Sequence, residues 1–477
     1  MKKDIFSSVI DLTGSEIPTK VIPNSYFIGN IFYAPDGTPL SPANELNLLK
    51  FEEISLIGSR RYVEDNQTSS DIGYLAAKKA YNPKLKYGCF VVARNSEELA
   101  LGQLCNIDIV PSHASRVKHK FDIKTLCPAY DIILTHRNLQ KYKDYMAFGA
   151  TDLVLDVMGF NQTGLYESAK SELLNLGIDA ESLTSIVVIH IVDANDCLAD
   201  KIANKLGIDY ELLTYDIIFG CPGFVQAFIQ VDSFIRSGRI KLGMVGGVET
   251  LSRLRDPFDR NSPLYADGAA FWRLKRVVNK PKVGVLTSVV RSHIMSDLNV
   301  ASYLKADSKF LWMGPSQNPN FQGSFLNMDA DKVFKYALNE VPEAIKEALD
   351  NAGISLNQVA KIIVHQANGR IIYSIIARVC KLFGYDKSEL GDLLPKKHSD
   401  AIVGELINKY GIRDIPPGIA PITVDWLANP SVASIGTAFD LIRRGKLKGH
   451  SFKSGDIIVL PAVGAGPAEN VAVMRLP

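Results

Sequence analysis

Several features that mark particular protein classes are scarce in this sequence. Its 477 residues include only six cysteines, none in a CxxC pair, so neither a disulfide scaffold nor a structural zinc site is expected. No run of about 18 apolar residues occurs, which argues against a transmembrane helix. Acidic residues interrupt the apolar stretches of Met1–Asn30, so no signal peptide is predicted. These absences favour a cytoplasmic protein.

A charge excess of either sign is also lacking. The 53 Lys and Arg residues nearly balance the 51 Asp and Glu residues, which leaves a net charge of +2. Proteins dedicated to nucleic acids usually carry a clear basic excess, so no nucleic-acid partner is expected. The hydrophobic fraction of 47% is instead that of an ordinary globular protein.

Short β-branched runs alternate with amphipathic helical segments along most of the chain. Ser185–Ile191 and Lys361–Val364 are predicted strands, whereas Ser69–Lys79 and Asp329–Asn351 are predicted helices, the second ending at Gly353. This alternation indicates α/β layers.

An internal similarity relates two segments that lie 85 residues apart. Arg116–Leu134 aligns without gaps with Lys201–Phe219, and both contain the tetrapeptide Tyr-Asp-Ile-Ile. Each copy is predicted to be a helix followed by a strand. Chance similarity between two αβ units is the alternative, but we interpret the pair as a degenerate duplication. The first copy has His136 where the second has Cys221, so it lacks a cysteine at that position.

Cys221 is the first residue whose position indicates chemistry. It follows an apolar strand and Gly220, and a helix is predicted over Phe224–Arg236. The N-terminus of a helix stabilises a thiolate and should lower the pKa of this thiol. A buried structural cysteine is the alternative interpretation.

Two further polar residues lie at similar corners. His365 ends a predicted strand, where it is either a hydrogen-bond donor in a pocket or a satisfied core imidazole. Asn429 precedes a helix that opens with small residues, so it is either a site amide or a helix cap. The glycine loop Val463–Pro467 could bring backbone N–H groups to a reacting oxyanion, although it completes no phosphate-binding motif.

In their order along the chain these elements resemble the thiolase superfamily, and within it the β-ketoacyl-acyl carrier protein synthase III branch of condensing enzymes. The matching segments are Ile57–Tyr62, Ser69–Asp71, Cys221–Phe224, Gly247–Arg253, Asp259–Arg260, Tyr265–Ala270, His365–Asn368 and Asn429–Ser434. The resemblance covers roughly residues 6–80 and 166–477.

The resemblance implies an α/β protein with the thiolase-like five-layered αβαβα fold, built from two pseudo-repeated halves. Residues 1–277 would form the N-terminal half with the cysteine, and residues 278–477 the C-terminal half with the histidine and asparagine. An insertion at about 81–165 has no counterpart in the family, and we interpret it as the degenerate partial duplication.

The resemblance also implies an acyltransferase that performs a decarboxylative Claisen condensation. Cys221 would accept an acyl group from a thioester, and His365 and Asn429 would hydrogen-bond the enolate formed from a malonyl or β-ketoacyl thioester. Backbone N–H groups of Cys221 and Ala465 would form the oxyanion hole. Asn429 distinguishes this branch from degradative thiolases and hydroxymethylglutaryl-CoA synthases, which use a cysteine or a glutamate as acid or base.

The same resemblance predicts the partners. Acyl-CoA and acyl carrier protein would supply the thioesters, with no metal and no redox cofactor, in fatty-acid or related secondary-metabolite biosynthesis. Arg370 matches a position that helps dock the carrier protein, and Arg60 and Arg61 resemble the CoA-contacting region. A homodimer is the usual state of the family. The alternative function is a non-catalytic ketosynthase-like partner subunit of a condensing-enzyme complex.

Overall fold

The computed structural model describes residues 4–34, 38–96, 112–160, 163–293, 303–305, 325–384, 418–464 and 467–477. Its strands are β1 Phe6–Glu16, β2 Lys20–Pro23, β3 Ser59–Tyr62, β4 Cys89–Ala93, β5 Ala129–Thr135, β6 Asp152–Met158, β7 Ser185–Val192, β8 Leu213–Ile218, β9 Leu242–Thr250, β10 Asp267–Val278, β11 Gly284–Ser292, β12 Tyr303–Lys305, β13 Phe325–Asn327, β14 Val359–Ile362, β15 Ile457–Gly464 and β16 Ala468–Arg475. Its α-helices are α1 Glu45–Ser55, α2 Ser69–Ala80, α3 His113–Lys120, α4 His136–Met146, α5 Leu165–Leu176, α6 Leu198–Lys205, α7 Gly223–Arg236, α8 Ala330–Ala352, α9 Gly369–Leu382, α10 Val424–Leu427 and α11 Ala433–Arg443. None of the helices in these ranges is both long and apolar enough to cross a bilayer.

Local sequence signals set the ends of the predicted helices. The Asp329 side chain accepts a hydrogen bond from the Lys332 N–H at 3.1 Å and so caps α8. Gly353 ends the same helix in the left-handed conformation at φ 65°, which glycine adopts without steric cost. Thr68 and Asp71 form a reciprocal capping box at the start of α2. Both helices therefore lie where the sequence predicted them.

Two sheets form the framework of the molecule. Eight strands make the first sheet in the order β1-β10-β9-β4-β8-β5-β7-β6, and four described strands make the second in the order β11-β16-β15-β14. Helices α7 and α11 lie between the sheets, α2 and α6 cover the outer face of the first, and α8 packs on the outer face of the second with α9 against it. This arrangement confirms the predicted α/β class and the five αβαβα layers.

A buried aromatic cluster fixes the central helical layer. Trp272 of β10 is completely buried, and its ring contacts Phe224 of α7 edge-on with centroids 4.8 Å apart. Phe439 of α11 contacts the same indole with centroids 4.6 Å apart. Such aromatic pairs contribute about 0.5–1.5 kcal/mol beyond the burial of their area. Helix α7, which follows Cys221, is therefore held rigidly between the sheets.

The predicted insertion at 81–165 is only partly separate from the core. Strand β4 lies inside this range, yet it is a central strand with β8 and β9 as parallel neighbours. Strands β5, β7 and β6 continue the first sheet beyond β8. The 81–165 boundaries therefore cut through the first sheet, and the insertion itself stays a prediction.

Candidate active site

Cys221 lies at the turn between β8 and α7. Gly220 adopts a left-handed φ of 64°, and the Gly223 N–H donates to the Gly220 carbonyl at 3.0 Å, which closes the turn. The Cys221 side chain is partly buried and faces a cavity. Strand, turn and helix thus present the thiol at the carboxyl edge of the first sheet.

The C-terminal strand pair closes over this corner. A Cβ atom added to Gly464 of β15 would lie 2.5 Å from the Cys221 backbone nitrogen and 2.6 Å from Pro222 Cδ. Only glycine permits this close approach. The next residue, Ala465, was predicted to contribute to the oxyanion hole, but it lies outside the described residues.

His365 follows β14 and is buried. The Ser434 hydroxyl lies 2.8 Å from Nδ1, and when it donates to Nδ1 the neutral ring carries its proton on Nε2. Burial lowers the pKa of His365 from 6.5 to about 3, because the charged imidazolium would lose its hydration. The neutral ring therefore keeps one N–H donor at neutral pH.

Asn429 is oriented by its own turn. Its Oδ1 accepts a hydrogen bond from the Ser431 N–H at 2.8 Å, and its backbone N–H donates to the Leu264 carbonyl at 3.0 Å. The flanking residues Ala428 and Ser431 have left-handed φ angles of 53° and 46°, which non-glycine residues rarely adopt. Because Oδ1 is occupied, the side-chain NH₂ is the donor that Asn429 can offer at the cavity.

Cys221, His365 and Asn429 line one cavity of about 90 Å³. Its wall is otherwise mostly apolar and includes Leu251, Leu264, Tyr265, Leu326, Met328, Val333, Ala337, Ile371 and Val463, with Asn95, Asn368 and Ser431 as further polar residues. The structure thus brings the three sequence-predicted residues together in a site that excludes much of the solvent. An apolar wall with a few fixed polar groups is typical of a site that binds a small organic molecule.

A polar chain that the sequence analysis did not identify leads to the thiol. The Ser431 hydroxyl donates to Cys221 Sγ at 3.2 Å. The Asn95 amide donates to Ser431 Oγ at 3.2 Å and to Glu249 Oε2 at 3.0 Å. Glu249 is fully buried, and this burial raises its pKa to about 7. Asn95 thus holds the hydroxyl in the orientation that donates to sulfur.

One expectation about the nucleophile is wrong in direction. Burial raises the pKa of the Cys221 thiol to about 12, whereas the helix N-terminus was expected to lower it. Desolvation in the apolar cavity opposes the charged form more strongly than the Ser431 hydrogen bond favours it. The thiol is therefore protonated at rest, and its proton must leave during nucleophilic attack.

The predicted arginines occupy different environments. Arg60 is fully buried, with Nη1 donating to the Ile22 carbonyl at 3.1 Å and its guanidinium over the Phe27 ring. It therefore supports the fold around β3 and does not present its charge to solvent. Arg61 lies over the Trp426 ring at 5.6 Å, and Arg370 is exposed over Phe334 at 5.2 Å. A role for Arg61 in CoA binding and for Arg370 in carrier docking stays a prediction.

The one cluster of possible metal ligands in the described residues lies elsewhere. His293 Nε2 is 2.9 Å from a carboxylate oxygen of buried Glu469, with Glu340 nearby. Glu469 also accepts a hydrogen bond from the Tyr336 hydroxyl, and Arg291 lies 3.8 Å from it. A cation would compete with these donors, so the cluster is better explained as a structural ion-pair network.

Known proteins with similar sequences are condensing enzymes by name. The family model for 3-oxoacyl-[acyl-carrier-protein] synthase III matches residues 215–293, which include Cys221. The β-ketoacyl-[acyl-carrier-protein] synthase III of Bradyrhizobium diazoefficiens is 29% identical over 312 residues, which cover 65% of this chain and 82% of the relative. That of Erythrobacter litoralis is 28% identical over 321 residues, with coverages of 66% and 84%.

A solved structure shows the same fold. The 3-oxoacyl-(acyl carrier protein) synthase III of Pseudomonas aeruginosa PAO1 superposes with a TM-score of 0.55 at 16% identity, and the match covers 99% of this chain and 98% of that one. At this identity the structural likeness establishes the fold alone. Together, the family model, the sequence relatives and this fold support a β-ketoacyl-acyl carrier protein synthase III-like condensing enzyme of the thiolase superfamily.

Proposed function

We propose that this chain catalyses a decarboxylative Claisen condensation between an acyl thioester and a malonyl thioester. The carrying observation is that Cys221, His365 and Asn429 line one largely apolar cavity. The cysteine offers a nucleophile, and each of the other two offers one oriented N–H donor. The reaction needs one group that carries the acyl chain and two that stabilise an enolate.

In the first half-reaction the Cys221 sulfur attacks the acyl thioester carbonyl. The carbon–sulfur bond to the donor thiol breaks, and the Cys221 proton leaves with that thiol. The acyl group is then held as a thioester on Cys221. The Ser431 hydroxyl, 3.2 Å from Sγ, stabilises the developing thiolate. The Cys221 backbone N–H supports the tetrahedral oxyanion in this proposal, and the Ala465 N–H is its second expected donor.

In the second half-reaction a malonyl thioester loses carbon dioxide. The electron pair of the broken carbon–carbon bond forms an enolate, whose oxygen accepts hydrogen bonds from His365 Nε2–H and Asn429 Nδ2–H. The enolate carbon attacks the acyl-cysteine, a new carbon–carbon bond forms, and the Cys221 thiolate leaves. A neutral His365 suits this task, because it donates a hydrogen bond without protonating the carbanion.

The substrates are proposed as acyl-CoA and acyl carrier protein thioesters, whose own chemistry requires no further cofactor. The names of the sequence relatives refer to the acyl carrier protein, which supports this class. Exposed Arg370 lies between the cavity-lining residues Asn368 and Ile371, so it is positioned to meet an acidic carrier. Fatty-acid and polyketide-type pathways both use this condensation.

The test separates the two half-reactions. Incubation with a panel of acyl-CoAs should add one acyl mass to the intact protein, and peptide mapping should locate it on Cys221. Cys221→Ser should abolish loading, whereas His365→Ala and Asn429→Ala should load but not condense with malonyl carrier protein. Absence of any adduct would overturn the enzyme proposal and favour the non-catalytic partner subunit.

A further inference from the structure

The sequence repeat is also a structural repeat. Adding 85 to both ends of α3 gives the ends of α6, and strands β5 and β8 follow them at the same offset to within one or two residues. Helices α4 and α7 come next in each copy. The repeated order is therefore helix, strand, helix, over more residues than the sequence similarity alone indicated.

A buried carboxylate occupies the same place in both copies. Asp131 accepts a hydrogen bond from the Ala114 N–H at 2.9 Å, and Asp216 accepts one from the Ala199 N–H at 2.8 Å. Asp131 and Asp216 are separated by the repeat offset of 85 residues, and so are Ala114 and Ala199. Each carboxylate therefore caps the helix of its own copy in the same way, which chance similarity does not explain.

Each carboxylate also pairs with a basic side chain from the neighbouring strand. Arg94, just after β4, donates to Asp216 at 2.7 Å, and His190 of β7 lies 3.2 Å from Asp131. Strand β4 has β8 and β9 as parallel neighbours, and β7 has β5 and β6. Outward from the β5–β8 pair, the strand order is therefore β8-β4-β9 on one side and β5-β7-β6 on the other, which is the same order of equivalent strands.

The two copies meet about a local two-fold axis. Strands β5 and β8 pair antiparallel, and Ile132 is opposite Ile217, its equivalent at the 85-residue offset. Asp131 is opposite Ile218, and Ile133 is opposite Asp216, so equivalent residues exchange partners across the axis. This reciprocal pattern is the defining property of an isologous contact between two identical subunits.

Side chains beside the axis also link the two copies. The hydroxyls of the equivalent residues Tyr130 and Tyr215 both hydrogen-bond the Gln230 amide, at 3.1 and 2.8 Å. Equivalent helices α4 and α7 also contact each other, through Tyr145 and Phe234 with ring centroids 5.2 Å apart. The contact thus extends beyond the strand pair into the layer between the sheets.

The duplicated unit, residues 112–192, also supports the candidate active site. Ile133 of β5 is fully buried and packs in one cluster with Leu251, Tyr265 and Leu326, three residues of the cavity wall. Phe160, just after β6, packs against the same cluster. Without the duplicated unit, this wall of the cavity would lose the side chains that pack behind it.

We propose that residues 112–192, the duplicated unit, take the place of a second copy of this chain at the edge of β8, so that one chain alone is the complete functional unit. The reciprocal β5–β8 contact, of the kind that two identical subunits would make, is formed within one chain, and the cavity wall is backed by residues of the same chain. The family resemblance predicts a homodimer, and this inference replaces that prediction for the present chain. It does not depend on the proposed reaction, because its test measures mass and amide exchange.

The test uses the full-length protein without substitutions. Sedimentation velocity from nanomolar to tens of micromolar concentration should give the mass of one chain, 52.4 kDa, throughout. In the same samples, consecutive backbone amides of β5 and β8 should exchange slowly with deuterium, because both edges of each strand are paired. A mass of two chains at any concentration would overturn the proposal. Fast exchange of alternate β8 amides, typical of an unpaired edge, would overturn it as well.

Discussion

Removing the hydroxyl of Ser431 or of Ser434 should affect different steps of the proposed reaction, the chemistry of the thiol or the condensation. Both serines are buried and lie three residues apart, but Ser431 donates to Cys221 Sγ whereas Ser434 bonds to His365 Nδ1. Ser431→Ala removes a donor to the thiolate, so it should raise the pKa of Cys221 further and slow its reactions. Ser434→Ala should leave the thiol unchanged and impair condensation.

The size of the Ser431 effect follows from the hydrogen bond it removes. A hydrogen bond to a charged group contributes about 1.5–3 kcal/mol, which lowers the thiolate share about 10- to 100-fold when the bond is lost. A thiolate of higher pKa is intrinsically more nucleophilic, with a Brønsted slope of about 0.4–0.5, so the net rate should fall about 3- to 15-fold.

The assay is the rate of Cys221 alkylation by iodoacetamide, followed by peptide mass as a function of pH. Cys89, Cys127, Cys197 and Cys380 are buried, and peptide mapping separates any reaction at them. Alkylation of Ser431→Ala at the wild-type rate would refute the proposed stabilisation of the thiolate. An equal slowing in Ser434→Ala would show that the effect is a general disturbance of the cavity.

Two further outcomes test the cavity wall and the histidine. Ile133→Ala and Ile132→Ala should each lower the free energy of urea unfolding by about 2–5 kcal/mol, because both side chains are fully buried. Only Ile133 packs behind the cavity wall, so only Ile133→Ala should shift acyl-CoA preference towards longer chains, and a shift in both variants would contradict this assignment. Burial lowers the pKa of His365 to about 3, so condensation by preloaded enzyme should show no inflection near pH 6.5. In the unfolded chain His365 binds its proton near pH 6.5, so His365 should lower the free energy of unfolding as the pH falls from 6.5 towards 3. An inflection of the condensation rate near pH 6.5 that disappears in His365→Gln would contradict the lowered pKa.

The sequence predicted the residues at strand ends and helix starts better than the hydrogen-bond partners of their side chains. Cys221, His365 and Asn429 each end a strand or begin a helix, and those positions can be read from hydrophobic periodicity and small residues. The roles of Ser431 and Ser434 could not be read, although both lie in a recognised segment, because a hydroxyl's partner depends on how distant segments pack. Asn95 had a usable signal, since it follows β4 at the carboxyl edge where Cys221 follows β8.

Charge and connectivity were harder to predict. Arg60 was predicted to contact CoA because its segment resembles that region of the family, but its side chain is buried and its guanidinium donates to the Ile22 carbonyl. The helix position of Cys221 suggested a lowered pKa, yet desolvation by the apolar wall cannot be seen in the local sequence. The boundaries predicted for the insertion cut through the first sheet, because only strand pairing shows that β4 joins β8 and that β7 joins β5.

The distant pairing partners of β4 have a consequence for the nascent chain. Strand β4 leaves the ribosome early, but its two neighbours pair through Leu213 and Gly243, far along the chain. Its five residues, Cys89–Ala93, are all buried in the finished sheet, so synthesis exposes an apolar strand with no native neighbour until β8 emerges. Such non-local pairing slows folding and leaves unpaired edges open to aggregation. Expression of this protein should therefore depend on chaperones that shield a strand during translation.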